Sequence, residues 1–289
     1  MNILEKVRST GLLFDGAMGS MLIAGGMKPG MASEIMNIQK PDVVLEIHKA
    51  YLDAGSDVIT TNTFGGSPIK MKSAGIGHLC EKANTEAVRI ARKAISSDRY
   101  IAGDIGPMGD MMEPLGLITQ SQAEENFARQ ADYLNRAGID LFIIETMFDI
   151  NESLAAIRGI RSVSDLPIFA TMTFEKGPAG FATIMGNQVT ESMQILVNAG
   201  ASAVGANCSI GSDLMIDLAA NIRKSVNAPV IIQPNAGIPE TIDGQLVYPE
   251  SAESYAANIQ KIKDLGVEII GGCCGTAPNY IRAIRRIIT

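Results

Sequence analysis

Three of the chain's four cysteines stand where they could act together. Cys273 and Cys274 are adjacent in Gly271-Gly272-Cys273-Cys274-Gly275-Thr276, directly after the apolar run 267–270, which reads as a buried strand. Cys208 lies about 65 residues earlier, in Gly205-Ala206-Asn207-Cys208-Ser209, and also follows an apolar run. Three thiolates delivered at strand ends make a soft donor set of the kind zinc takes. Three sulfurs leave the fourth tetrahedral position open, as in a catalytic rather than a closed structural zinc. A substrate thiol in that position would lose its proton and stay nucleophilic at neutral pH, where a free thiol of pKa near ~8.5 is mostly protonated. Alkyl transfer to sulfur is the reaction class this favours. Cys80, in a helical segment away from any strand end, is expected only to pack.

Composition narrows the alternatives. The net charge is −7 and the sequence pI about 5.0, so no basic surface exists to track phosphates and nucleic acid is excluded as a partner. Neither a signal-peptide apolar region nor a run of ~18 apolar residues is present, which points to a cytoplasmic chain that does not enter a membrane. In that reducing setting cysteines bind metals or react more often than they pair. Of the two histidines, His48 falls inside a helical pattern and His78 just before another helix, so a His-rich metal site or a Ser-His-Asp triad has little to stand on.

The elements that must carry the cysteines follow a repeated punctuation. Ala54-Gly55, Ala137-Gly138, Ala199-Gly200 and Leu265-Gly266 each end a helical pattern with a glycine, and each is followed within a few residues by an apolar run. Strands of a second style are entered from Ser or Pro, at 100–103, 167–170 and 229–232. Eight strands are expected, starting near 12, 57, 100, 140, 167, 202, 229 and 267, with amphipathic helices such as 41–54, 121–136, 151–163 and 212–226 between them and 279–288 last. Residues 26–40 read as a loop. Continuous apolar strands alternating with helices imply a parallel sheet covered by helices, and eight units in a chain of this length imply an α/β fold, a single-domain (β/α)8 TIM barrel over 1–289.

Active sites of such barrels lie at the C-terminal ends of the strands. The polar residues there are Asp15, Thr61-Asn62-Thr63, Asp104, Glu145, Thr171 and Thr173, Asn207-Cys208, Pro234-Asn235-Ala236-Gly237, and Cys273-Cys274. Asp104 either caps the next helix or faces the pocket. Loops 108–117 and 175–186 lie on the same face, where their methionines and glycines would cover the mouth or form a docking surface.

Asn207-Cys208-Ser209, the Gly-Gly-Cys-Cys-Gly-Thr element and Asp15-Gly16-Ala17-Met18-Gly19-Ser20 resemble the homocysteine S-methyltransferases. Thr61-Asn62-Thr63-Phe64, Gly103-Asp104-Ile105-Gly106-Pro107 and Pro234-Asn235-Ala236-Gly237 make the chain most similar to homocysteine-binding modules of the cobalamin-dependent kind, over about residues 12–288. The resemblance implies zinc held by Cys208, Cys273 and Cys274, with homocysteine sulfur as the fourth ligand. It also implies that Asp15 and Glu145 hold the substrate amino group, that the Ala17 and Met18 amides receive its carboxylate, that Asn207 and Asn235 belong to the substrate-binding set, and that Asn235 sits near the metal and takes its open position when substrate is absent. No corrinoid-type Asp-x-His-x-x-Gly element is found, so methylcobalamin is expected on a separate corrinoid protein. The alternatives are S-methylmethionine or betaine as donor, or a corrinoid-system transferase that acts on another thiol or methylated compound.

Overall fold

The computed structural model describes residues 2–242 and 245–288. Its central sheet has the eight expected parallel strands: β1 (Leu12–Leu13), β2 (Val58–Thr60), β3 (Tyr100–Ile105), β4 (Leu141–Met147), β5 (Ile168–Met172), β6 (Ala203–Gly211), β7 (Val230–Asn235) and β8 (Ile269–Ile270). Hydrogen bonding runs in the order β1-β8-β7-β6-β5-β4-β3-β2, and a parallel bridge from Phe14 to Val58 closes the ring. Helices follow the strands, so this is a (β/α)8 barrel. The helix Pro41–Ala54 begins on its proline and stops at Gly55, whose φ of 109° only glycine adopts without strain. The helix Gln120–Ala137 opens with a capping box between Thr119 and Gln122.

Strand periodicity sorts the side chains into two layers. Leu13, Ile59, Ile101, Phe142, Ile144, Ile168, Val204, Ile232 and Ile270 pack outward against the helices. Leu12, Phe14, Val58, Ala102, Leu141, Ile143, Phe169, Ala203, Ile231 and Ile269 meet in a separate interior cluster. Ile3 and Val7 of the first helix, Ile3–Ser9, join that cluster and stopper the end of the barrel where the strands begin. The opposite end is left for polar residues.

At the stoppered end Asp57 locks the ring. Its carboxylate accepts from the Leu13 N–H at 2.9 Å and pairs with Lys6 at 3.0 Å, Arg99 at 3.1 Å and Arg285 at 2.7 Å. One side chain thereby ties the first helix, β1, the start of β3 and the last helix together.

Four segments between the barrel elements carry structure beyond the sequence expectation. Within 26–40, a 3-10 turn (Ser33–Ile35) and a short helix (Met36–Gln39) form because Glu34 is drawn inside to accept the Gly65 N–H at 2.6 Å. The stretch after β5 folds into a hairpin, Glu175–Gly177 with Gly180–Ala182, and a second hairpin, Glu240–Ile242 with Gln245–Val247, follows β7. In loop 108–117, Met108 and Met112 turn into the core, while Leu115 and Leu117 stay exposed. No helix among the described residues is long and apolar enough to cross a membrane.

His48 is fully buried on the helix Pro41–Ala54, and neither ring nitrogen has a partner. Burial alone pushes its pKa down to about 4. The unfolded chain therefore takes up the proton first as pH falls, and the stability this group contributes is full above about pH 6.5 and lost towards pH 4. Urea unfolding should show wild type losing about 2 kcal/mol more than His48→Leu between pH 7 and pH 5. Parallel losses would contradict this assignment.

Candidate active site and metal centre

The inward positions just beyond the apolar interior layer are polar on most strands. Two residues past Val58, Ala102, Ile143, Phe169 and Ile231 come Thr60, Asp104, Glu145, Thr171 and Gln233. On β6 the inward sequence runs Ala203, Gly205, Asn207, and on β8 it runs Ile269, Gly271, Cys273. The two glycines let neighbours approach closely: a Cβ at Gly205 would meet the Ile231 carbonyl oxygen at 1.7 Å, and one at Gly271 would meet Phe14 Cβ at 2.7 Å. At the polar level a cavity of about 240 Å³ opens. Asp15, Met18, Thr60, Asp104, Glu145, Gln233 and all three candidate cysteines line it.

The three sulfurs lie within 4.8 Å of one another, and Cys208 and Cys274 Sγ are 3.9 Å apart. A tetrahedral zinc with bonds near ~2.3 Å spaces its sulfurs by about 3.8 Å. The thiols are free and not bridged. Without a cation they share protons: hydrogen bonds from Cys208 and Cys273 hold Cys274 down to about 3, against burial. Cys273 is pushed well up by its own hydrogen bonds to the other two and by burial. For Cys208, a lowering hydrogen bond from Cys273 is outweighed by its bond to Cys274 and by burial, and it rises to about 11. Three soft donors at this spacing, only one of them readily ionised, fit a thiophilic divalent ion that would take up all three as thiolates.

The backbone that aims these sulfurs is held from several sides. Cys208 and Ser209 adopt φ of 62° and 61°, a left-handed conformation rare outside glycine, where the β6–β7 register shifts between Asn207 and Gly211. The Cys273 N–H donates to the Pro234 carbonyl at 2.8 Å, the Cys274 N–H to Asn235 Oδ1 at 3.1 Å, and the Ala236 N–H to the Cys274 carbonyl at 2.9 Å. Two buried tyrosines clamp the same turn. Tyr51 OH lies 3.0 Å from the Ala17 carbonyl and 2.9 Å from that of Thr276, while Tyr255 OH is 3.0 Å from the carbonyls of both Pro234 and Gly271. Gly275 has φ 82°, and the Tyr248 ring lies so close that a Cβ there would meet its Cγ at 2.2 Å. The Tyr248 hydroxyl hydrogen-bonds Cys274; its burial and the nearby sulfur charge push its own pKa up.

Across the cavity stand the acids. Asp15 accepts from the Thr60 N–H and from Thr60 Oγ1, both at 2.8 Å. Burial outweighs those bonds and pushes its carboxyl up to about 7. Burial, then the Cys208 sulfur and Asp15, raise Glu145 to about 8.

Cys208, Cys273, Cys274, Asp15, Ala17, Met18 and Glu145 are thus brought to one cavity. Ala17 differs from expectation in one respect: its N–H already donates to the Thr276 carbonyl at 3.0 Å, so Met18, the first residue of the helix Met18–Ala24, begins the run of amides without helical partners. Asn207 and Asn235 lie behind the cavity wall. Asn207 Oδ1 accepts from the Thr146 N–H at 2.8 Å and Thr171 Oγ1 at 2.7 Å, and its Nδ2 donates to Thr146 Oγ1 at 2.7 Å and towards Cys273 Sγ at 3.8 Å. Both polar side-chain atoms of Asn207 are thus engaged within the protein, one of them towards a candidate ligand sulfur. Gln233, Thr60 and Phe64 were missed as cavity residues. The period-2 alternation on β7 and β2 is the signal that finds Gln233 and Thr60.

Comparison with known proteins agrees with this architecture. The homocysteine S-methyltransferase family model matches residues 12–288. The chain belongs to the homocysteine S-methyltransferase family. Methionine synthase of Mycobacterium tuberculosis (strain ATCC 25618 / H37Rv) is 29% identical over 304 residues, covering 98% of this chain and 25% of that protein. The methionine synthase of Mycobacterium leprae (strain TN) is 28% identical over 301 residues with the same coverage. The chain therefore spans about a quarter of the length of the curated relatives it matches. Among solved structures, the metallated form of the homocysteine methyltransferase MmuM from Escherichia coli superposes with a TM-score of 0.81 over 96% of both chains at 20% identity, a likeness of fold.

The freshly purified, reduced chain should carry about one zinc, lost in Cys208→Ala, Cys273→Ala and Cys274→Ala but kept in Cys80→Ala, as metal analysis after dialysis will read. Asn207→Ala should weaken zinc retention by roughly 10–100-fold, as loss of a group supporting a ligand does.

Proposed function

We propose that this chain methylates the thiol of homocysteine, giving methionine, with zinc at Cys208, Cys273 and Cys274 and methylcobalamin on a separate corrinoid protein as donor. The observation that carries the reading is the shared cavity: three sulfurs on the β6 and β8 side face carboxyls carried by β4 and by the residues after β1, with a helix start between them. Zinc held there by Cys208, Cys273 and Cys274 would lower the pKa of a substrate thiol and keep its sulfur ionised at neutral pH. The chain's own groups do the rest. Asp15 and Glu145 accept from the substrate ammonium, and the Met18 amide receives its carboxylate. The Thr60 bonds fix Asp15, and Asn207, Asn235 and Tyr248 fix the sulfurs. The substrate sulfur then lies along one line with the incoming methyl carbon. A sulfur–carbon bond forms as the bond from methyl to donor breaks, the bonding pair leaving with the donor.

The donor assignment rests on what lies at the mouth. Small sulfonium or quaternary ammonium donors are ordinarily held against several aromatic faces. The chain has no Trp, and Phe64 is the one aromatic residue lining the cavity among the described residues. Leu115, Leu117, Ile184 and Ile238, on loops after β3, β5 and β7, are 67%, 89%, 78% and 61% exposed. Such apolar side chains around a mouth suit cover by a second protein.

Incubating the zinc-loaded chain with homocysteine and, in parallel, methylcobalamin, S-methylmethionine or betaine separates the donors. Methionine should form with methylcobalamin alone. Formation with either small compound moves the donor to that class, and no methionine from any donor with zinc bound removes homocysteine as acceptor. Glu145→Gln should raise KM for homocysteine by about tenfold or more, from loss of a charged hydrogen bond, while zinc content stays at the wild-type level. Equal loss of zinc would make Glu145 structural.

A further inference from the structure

Asp104 lies in the same cavity but has no part in the reading above. It sits inward on β3, two residues beyond the apolar layer, and is 5% exposed. Its backbone is fully engaged: the N–H donates to Thr61 Oγ1 at 3.0 Å, and the carbonyl accepts from Thr63 Oγ1 at 2.8 Å and Gln130 Nε2 at 3.2 Å. Its carboxyl Oδ1 is buried with no hydrogen-bond partner, so it caps no helix. Burial raises the pKa of this carboxyl well above the usual range, and the charges of Glu145, Glu34 and Asp15 add to the shift. Such a group costs the free protein stability, and among the described residues no hydrogen bond relieves Oδ1.

A bound cation would relieve it. A primary ammonium has three N–H donors pointing in different directions, so its burial calls for three acceptors. Asp15 and Glu145 supply two, and both Asp15 oxygens already accept from Thr60. We infer that Asp104 is the third acceptor of the substrate ammonium, and that it makes the pocket select thiols bearing a primary amine. This rests on the homocysteine reading and deepens it. An acceptor thiol without an amino group leaves three carboxyls with no cation between them, and a thiol ending in an anion is repelled by them. The cavity thus has a cation end on the β1 to β4 arc and a sulfur end on β6 and β8.

The test compares L-homocysteine with 4-mercaptobutyrate, which has the same carbon chain without the amino group. Isothermal titration of each into the reduced, zinc-loaded chain is run for wild type and for Asp104→Asn, which keeps the side chain's shape and removes its charge. The inference expects the homocysteine Kd to rise about tenfold or more in Asp104→Asn, the 4-mercaptobutyrate Kd to change by less than about twofold, and the ligand-free variant to melt at or above the wild-type temperature. Unchanged homocysteine affinity overturns it. Equal weakening of both ligands, or a lowered melting temperature, makes Asp104 structural and also overturns it. If wild type binds neither ligand, the homocysteine reading falls and this inference with it; if wild type binds homocysteine and the variant binds it with the same Kd, the inference alone falls.

Discussion

Three ionisable sulfurs within 4.8 Å of one another, in a mostly buried cavity, are the constraint on which the rest of this structure depends. Thiolates at that range repel and thiols have no reason to gather, so the chain must hold them there by other means. The hydrogen bonds from β7 to the Cys273-Cys274 turn, the two tyrosine clamps and the left-handed Cys208 are those means. Each left-handed non-glycine residue costs of order 1–3 kcal/mol and persists only where its surroundings over-determine it. Here Thr146, Cys208 and Ser209 all adopt it, on two strand ends joined through Asn207.

The barrel makes this affordable by separating levels. Inward side chains fall into layers, so a strand that buries Ile143 against Phe169 and Ile231 presents Glu145 one layer higher without any change of conformation. Chemistry then needs only a polar residue two positions beyond an apolar one. The sheet order decides which groups become neighbours: acids on the arc from β1 to β4, sulfurs on β6 and β8. Gly205 and Gly271 occupy the layer between, where the Ile231 backbone and Phe14 come too close for a side chain.

Much of this was legible because it is local. A glycine at the helix end followed by an apolar run marks the passages into β2, β4, β6 and β8, Ser or Pro marks those into β3, β5 and β7, and the eight strand starts were read to within two residues. The cysteines were legible because adjacent thiols between glycines have few other uses. What was not legible depends on pairings across the barrel. Tyr51 and Tyr255 look in sequence like any core aromatics, and only the closed ring brings their hydroxyls to Thr276 and Gly271. Tyr248 follows a hairpin with no periodicity of its own. Asn207 adjoins a cysteine and points inward by strand alternation, yet its amide is taken up by Thr146, Thr171 and Cys273, partners on other strands. The commitment of the Ala17 amide to Thr276 likewise exists only once β1 and β8 are side by side.

The two ends of the barrel treat the same chemical group in opposite ways. At the stoppered end burial would raise the Asp57 carboxyl, but the Leu13 N–H, Arg285 and Lys6 outweigh it and hold its pKa below the usual value. At the open end Asp15 and Asp104 are buried and Glu145 partly so, none of them is in an ion pair among the described residues, and burial prevails. Cations of the chain are spent where they close the ring and withheld where a ligand must supply the charge. A protein selected only for stability would have paired the acids at both ends or replaced them with apolar residues. That the open end keeps them unpaired, beside thiols that also await a positive partner, is the physical reason to read this end as a site for cations: one metallic at the sulfurs, one organic at the acids.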